Sequence, residues 1–151
     1  MQLTQKESGL LKDLQEQEKL CIDKYTKHAA VAHDPQLSQL FGQLADVERS
    51  HLKAINSIQT GTVPATISNV PAPSGNFTAV YSTGETEEKK SDAFLCSDLL
   101  ATEKHVSHLY DTCIFEFSTE EARSALGTIQ KQEQAHGKLL YDYMSKNSMY
   151  S

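Results

Sequence analysis

Six candidate metal ligands occur in a pattern that the sequence contains twice. Each copy has a lone glutamate followed thirty residues later by a Glu-x-x-His motif, and the second copy lies 85 residues after the first. The residues are Glu18, Glu48 and His51 in the first copy and Glu103, Glu133 and His136 in the second. Residues three apart lie on the same face of a helix, so each motif can direct a carboxylate oxygen and an imidazole nitrogen to one point. Carboxylate and imidazole ligands suit iron and manganese.

The charge of this set favours a site with two cations. Burying four carboxylates without cations costs several kcal/mol for each carboxylate. Mutual repulsion also drives some of the carboxylates to take up protons. Two divalent ions would balance the four carboxylates while the histidines stay neutral. The sequence therefore predicts a dinuclear site that holds two divalent iron or manganese ions. The alternative is a bundle that keeps the six residues as a hydrogen-bonded polar core.

The repeat extends beyond the ligands. A shift of 85 residues without a gap also superposes Leu10 on Leu95, Asp13 on Asp98, Leu14 on Leu99, Lys19 on Lys104, Tyr25 on Tyr110, Gly42 on Gly127 and Lys53 on Lys138. Self-similarity at a fixed offset indicates a duplicated unit, here a helical hairpin. Tyr25 and Tyr110 each follow a lone glutamate by two helical turns, so their hydroxyls can donate to a ligand carboxylate. The alternative is that both are ordinary aromatic core residues.

Apolar periodicity and helix-capping signals predict the four helices that position these residues. The helices span about residues 5–32, 35–59, 87–117 and 119–146. Thr4 with Glu7 and Ser118 with Glu121 have capping-box spacing, and Asp34 precedes a first-turn proline. Periodicity is lost between about residues 60 and 86, where proline and glycine are frequent, so this segment is a long crossover. The predicted fold is all-α: one domain over residues 1–151, a ferritin-like four-helix bundle of two similar helical hairpins joined by a long crossover loop.

Composition narrows the function classes. A net charge of −6 argues against a nucleic-acid or anionic-membrane surface, because both need clustered basic residues. No basic start with an apolar run precedes the first helix, so we expect a cytosolic protein. Three cysteines without a Cys-x-x-Cys motif do not favour disulfides or a cysteine-based zinc site. Cys21, Cys96 and Cys113 are therefore interpreted as small, mostly buried apolar residues.

Two family resemblances follow from these residues. The ligand set with Tyr25 resembles the di-iron centre of the ferritin, bacterioferritin and rubrerythrin superfamily. Segments 98–105 (DLLATEKH), 115–119 (FEFST), 132–137 (QEQAHG) and 141–144 (YDYM) resemble the spore coat protein F (CotF-like) family. The second resemblance is strongest over residues 92–151. It implies a protein made in the mother-cell cytoplasm and located in the spore coat, with other coat proteins as partners and a homodimer as a further option.

Two function classes stay open at this point. In the first, the bundle is a structural component of the spore coat that is clamped by metal. In the second, it is a cytosolic di-iron or di-manganese oxidoreductase, such as a peroxidase, a catalase-like enzyme or a ferroxidase. Bulky residues surround the predicted site, namely Leu14, Leu44, Leu99, Ile129, Tyr25 and Tyr110. We therefore expect restricted access and favour the structural role.

Overall fold

Four α-helices form the secondary structure of this protein. The computed structural model describes residues 1–150, and this part of the chain contains no β-strand. The helices are α1 (Gln5–Val31), α2 (Pro35–Gln59), α3 (Glu87–Glu116) and α4 (Glu120–Lys146). The prediction of an all-α four-helix bundle is confirmed, with helix ends within one residue of those expected. None of the four helices is long and apolar enough to cross a membrane.

The helix starts follow the sequence signals with one exception. Thr4 and Glu7 form the predicted capping box, with the Glu7 N–H 3.1 Å from Thr4 Oγ1 and the Thr4 N–H 2.9 Å from Glu7 Oε1. The second predicted box, Ser118 with Glu121, is wrong. The N-cap of α4 is Thr119, and its side chain makes no capping hydrogen bond. The Ser118 N–H instead donates to Glu7 Oε2 at 3.1 Å, because tertiary packing brings the start of α1 to the turn before α4.

Two apolar clusters define how the helices run. At one end, the start of α1, the end of α2, the end of α3 and the start of α4 pack together through residues such as Leu11, Ile58, Cys113 and Leu126. At the other end, the opposite termini pack through Tyr25, Leu37, Leu95 and Leu140. Thus α1 and α4 run in one direction and α2 and α3 in the other. The most extensive contacts are between α1 and α2 and between α3 and α4, which makes two antiparallel hairpins.

Residues 60–86 therefore return along the length of the bundle to connect two helices that run in the same direction. Val63 and Ile67 pack against the first apolar cluster. Phe77 lies at the other end, with its ring centre 5.5 Å from that of Tyr143. Val80, near the end of the same segment, is 54% exposed. The connection is held by a few anchored residues along its course.

A buried carboxylate on α3 holds the end of this connection. Asp92 is fully buried and accepts hydrogen bonds from the backbone N–H groups of His33 (2.9 Å) and Asp34 (3.0 Å) and from the Tyr81 hydroxyl (2.7 Å). The Tyr143 hydroxyl on α4 donates to Asp34 at 2.6 Å. Asp92 thus links the α1–α2 turn to the crossover and to α3, while Asp34 extends the link to α4.

Candidate metal centre

All six predicted ligands meet at mid-height of the bundle, between the two apolar clusters. Each helix contributes through its inward face, and the six residues are between 0% and 3% exposed: Glu18, Glu48, His51, Glu103, Glu133 and His136. The 3.6-residue period that places apolar side chains inward also places these polar ones inward, since they occupy the same stripe. The two copies of the repeat therefore face each other across the core.

His51 points its Nδ1 atom at three carboxylates. The Nδ1 atom lies 2.8 Å from Glu48 Oε1, 3.1 Å from Glu133 Oε1 and 3.8 Å from Glu18 Oε2. These carboxylates come from α2, α4 and α1, so one nitrogen lies near oxygens from three helices. This is the arrangement expected of ligands that converge on a common ion.

His136 repeats the arrangement on the opposite side. Its Nδ1 atom lies 2.9 Å from Glu103 Oε2, 3.3 Å from Glu133 Oε1 and 3.6 Å from Glu48 Oε1. The rings of His51 and His136 are nearly parallel, with a 17° angle and centres 5.9 Å apart. The approximate symmetry of the sequence repeat is therefore present in the site.

The donor atoms form two overlapping groups. One oxygen or nitrogen from each of Glu18, Glu48, His51 and Glu133 lies within 4.8 Å of the others. A second group with the same spacing contains Glu48, Glu103, Glu133 and the Cys21 sulfur. Glu48 and Glu133 belong to both groups, so these two carboxylates are close to the donor atoms of both.

The donor atoms are not satisfied by hydrogen bonds. Ten buried side-chain atoms of this region have no hydrogen-bond partner: Glu18 Oε2, Tyr25 OH, both oxygens of Glu48, Glu103 and Glu133, and the Nδ1 atoms of His51 and His136. Buried polar groups are normally paired, and leaving one unpaired costs about 1–3 kcal/mol. Nine of these ten atoms belong to the six predicted ligands. The residues therefore fit a pair of metal ions.

The pKa values of the four glutamates also reflect a buried cluster without a balancing positive charge. Burial, followed by repulsion from Glu133, raises the pKa of Glu18 and of Glu48 well above the usual value. The same two causes raise the pKa of Glu103 to about 8. For Glu133, burial acts in the same direction, but the adjacent Glu48 carboxyl group and the two nearby histidines hold its pKa well below the usual range.

The pKa of His136 reflects a competition between burial and its charged neighbours. Burial alone would lower its pKa, but the neighbouring Glu103 and Glu133 carboxylates outweigh burial and raise the pKa to about 10. Without a cation, therefore, the cluster retains protons near neutral pH. Divalent ions would displace those protons and supply the missing positive charge.

The two predicted tyrosines lie beside the cluster but differ in their contacts. The Tyr110 hydroxyl donates a 2.7 Å hydrogen bond to Glu18 Oε1, across the interface between the hairpins. Tyr25 faces Glu103 and is fully buried, yet its hydroxyl has no hydrogen-bond partner. Equivalent positions of the repeat thus make different contacts.

Gln132 is a neighbour of the site that sequence reasoning missed. Its side-chain oxygen lies 2.6 Å from His51 Nε2, and this contact directs the opposite ring nitrogen, Nδ1, into the cluster. Its position directly before Glu133 was the one feature of the sequence that could have indicated a place beside the site. Gln132 also lines a cavity of about 130 Å³ with His136 and with Ser68, Val70 and Ala72 of the crossover. The crossover therefore covers the histidine side of the centre.

A groove between α3 and α4 reaches the other side of the centre. Its volume is about 450 Å³, and its lining includes two of the candidate ligands, Glu103 and Glu133. Polar side chains such as Lys104, His108 and Gln134 also line it. The six bulky residues expected to restrict access are fully buried. The groove is nevertheless a route by which ions could approach two carboxylates.

One family model matches part of the chain. The Coat F domain family model matches residues 91–151, which contain nearly all of α3, the following turn and α4. This match supports a relationship between this part of the chain and the CotF-like spore coat family. No curated protein and no solved structure matches the chain. Glu18, Glu48 and His51 lie in the first hairpin, outside the matched residues.

Proposed function

We propose that this protein is a structural component of the spore coat whose ferritin-like bundle is clamped by two divalent iron or manganese ions. The coat role is supported by the Coat F match over residues 91–151. The metal role is carried by one observation, the convergence of buried, unpartnered carboxylate and imidazole atoms from all four helices. The ferritin-like description is supported by the two antiparallel hairpins and the long return segment between them.

The residues that would hold the ions divide by position. Glu18 and His51 would hold one ion and Glu103 and His136 the other, and Glu48 and Glu133, which belong to both donor groups, would contribute to holding both. Bound ions would neutralise the carboxylates and so join all four helices at mid-height. Tyr110 would orient the Glu18 carboxylate, and Gln132 would orient the His51 ring. A coat component built in this way is a rigid unit whose stability depends on metal.

Metal stoichiometry tests the clamp. Protein stripped with a chelator is dialysed against manganese or, without oxygen, against ferrous iron, and bound metal is measured by elemental analysis. We expect about two ions per chain, as in dinuclear carboxylate bundles. The double variant Glu48→Ala/Glu133→Ala should lose most of this binding, because both carboxylates that the two donor groups share are removed. Glu16→Ala/Glu120→Ala, which removes two exposed carboxylates, is the matched control. Undiminished binding by the first variant would refute the ligand assignment.

Localisation tests the coat role separately. A fluorescent fusion expressed from a sporulation promoter in an endospore-forming host should gather around the forespore late in development. The fluorescent protein alone, expressed in the same way, should remain diffuse in the mother cell. Fractionation of purified spores should recover the fusion with the coat proteins. A fusion that stays diffuse and is absent from the coat fraction would contradict the coat role while leaving the metal measurement unaffected.

A further inference from the structure

Cys21 offers a possible metal-ligating atom that the proposed ligand set does not use. Its sulfur lies within 4.8 Å of an oxygen from each of Glu48, Glu103 and Glu133, and the residue is fully buried. All six oxygens of these three glutamates lack hydrogen-bond partners. The sulfur therefore borders a set of unsatisfied, buried donor atoms, whereas Cys96 and Cys113 belong to neither donor group.

The spacing along α1 explains how the sulfur reaches the centre. Cys21 follows Glu18 by three residues, so α1 carries a Glu-x-x-Cys that matches the Glu-x-x-His of α2 in spacing. The repeat places Val106 at the corresponding position of α3. Val106 belongs to an apolar cluster and offers no donor atom. The thiol is thus a departure from the twofold pattern, present on one side of the centre only.

We propose that Cys21 is a further metal ligand and that its sulfur makes the two metal positions chemically different. This inference rests on the proposed dinuclear site. The position formed by Glu18, Glu48, His51 and Glu133 offers only oxygen and nitrogen. The position near Glu103 adds sulfur. As the metal–sulfur bond forms, the thiol gives up its proton to solvent, and the sulfur binds as a thiolate.

The Cys21 sulfur should influence which metal binds at each position. Thiolate is a soft ligand that favours zinc, cobalt and iron, whereas carboxylate and water favour manganese and magnesium. The Cys21 side should therefore prefer iron to manganese, and the opposite side should discriminate less. When both metals are supplied, the protein should fill the two positions unequally, and replacing Cys21 should remove that preference.

Cobalt titration under anaerobic, reducing conditions tests the proposal. Co²⁺ bound to thiolate shows a sulfur-to-metal charge-transfer absorption in the near ultraviolet. The native chain should develop this band until about one cobalt per chain is bound, and then bind the second without further increase. Cys21→Val should bind two cobalt ions without the band. Cys113→Val, which replaces a buried thiol outside the two donor groups, should keep the band.

Three outcomes are informative. Two bound cobalt ions without a charge-transfer band in the native chain, or a band that persists in Cys21→Val, would overturn the role of Cys21 and leave the dinuclear site intact. Absence of cobalt binding in the native chain, measured by equilibrium dialysis, would overturn both proposals. X-ray absorption of the zinc-loaded proteins gives a second readout. A sulfur neighbour should be present in the native chain and absent in Cys21→Val of unchanged helix content.

Discussion

The Tyr110 hydroxyl on α3 donates a 2.7 Å hydrogen bond to Glu18 Oε1 on α1, so the second hairpin holds a candidate ligand of the first. Both residues are fully buried. We predict that Tyr110→Phe lowers the unfolding free energy of the metal-free protein by about 1–2 kcal/mol, because a buried carboxylate oxygen loses its donor. Tyr25→Phe is the matched control and should not lower the unfolding free energy, since the Tyr25 hydroxyl has no hydrogen-bond partner to lose. Urea unfolding measures both, and equal losses would contradict the assigned contact.

The stability of the metal-free protein should fall as pH rises from about 5 to 9. The folded-state pKa is about 8 for Glu103 against 4.5 ordinarily, and about 10 for His136 against 6.5. Between the ordinary and raised values the folded state holds protons that the unfolded chain has released. The stability that these retained protons contribute is therefore present at low pH, and it is lost as pH rises through the folded-state pKa values of Glu103 and His136.

Urea unfolding in the presence of a chelator at pH 5, 7 and 9 measures this dependence. Glu103→Gln should reduce the fall, because it removes one of the groups that titrate. Added manganese should reverse the trend, since metal binds only the deprotonated ligands and only the folded state. A metal-free protein that becomes more stable from pH 5 to 9 would contradict the interpretation of a proton-holding cluster.

The metal-loaded protein should show no redox turnover above that of free metal. Four carboxylates and two imidazoles supply enough donors to saturate two ions, and a saturated site leaves no open position for an oxidant. The assays are hydrogen peroxide consumption and ferrous oxidation, with Glu18→Ala/Glu103→Ala as the control. Turnover by the native protein that is lost in the control would assign an oxidoreductase, with the groove beside Glu103 as its entry route.

Glu7 should contribute to stability through two elements of the fold. Its carboxylate accepts from the Thr4 N–H at the start of α1 and from the Ser118 N–H before α4. Glu7→Ala should lower the unfolding free energy by about 1–3 kcal/mol, whereas Glu16→Ala, at an exposed position of α1, should change it little.

The pH dependence of this effect is a further check. The Thr4 backbone N–H, acting against burial and helped by Ser118, lowers the pKa of Glu7. The contribution of Glu7 is therefore present above the ordinary value of 4.5 and is lost as pH falls through the lowered value. A Glu7→Ala effect that grows as pH decreases below that range would contradict this origin.

Asp92 should hold the end of the crossover in place. Asp92→Ala leaves the His33 N–H, the Asp34 N–H and the Tyr81 hydroxyl without their acceptor. We expect a loss of about 2–4 kcal/mol in unfolding free energy and faster proteolytic cleavage within residues 60–86. Asp46→Ala, at an exposed position of α2, is the control. Unchanged cleavage would show that the crossover is held by its apolar contacts alone.

The helices and the inward position of the six candidate ligands could be predicted from the sequence because they depend on local rules. Capping residues, a first-turn proline and the loss of periodicity after residue 59 located the helix ends to within one residue. The helical period placed Glu18, Glu48 and Glu133 on the same stripes as the core residues, and burial followed. The repeat at an offset of 85 then implied two equivalent halves.

The differences between those halves depend on tertiary structure. The repeat makes Tyr25 equivalent to Tyr110, yet only the Tyr110 hydroxyl has a hydrogen-bond partner. It treats Cys21 as one more apolar position, but the position and rotation of α1 bring its sulfur to the carboxylate cluster. Ser118 meets Glu7 because two chain segments more than a hundred residues apart pack together. Such contacts depend on distances and rotations between helices, which residue spacing within one helix does not specify.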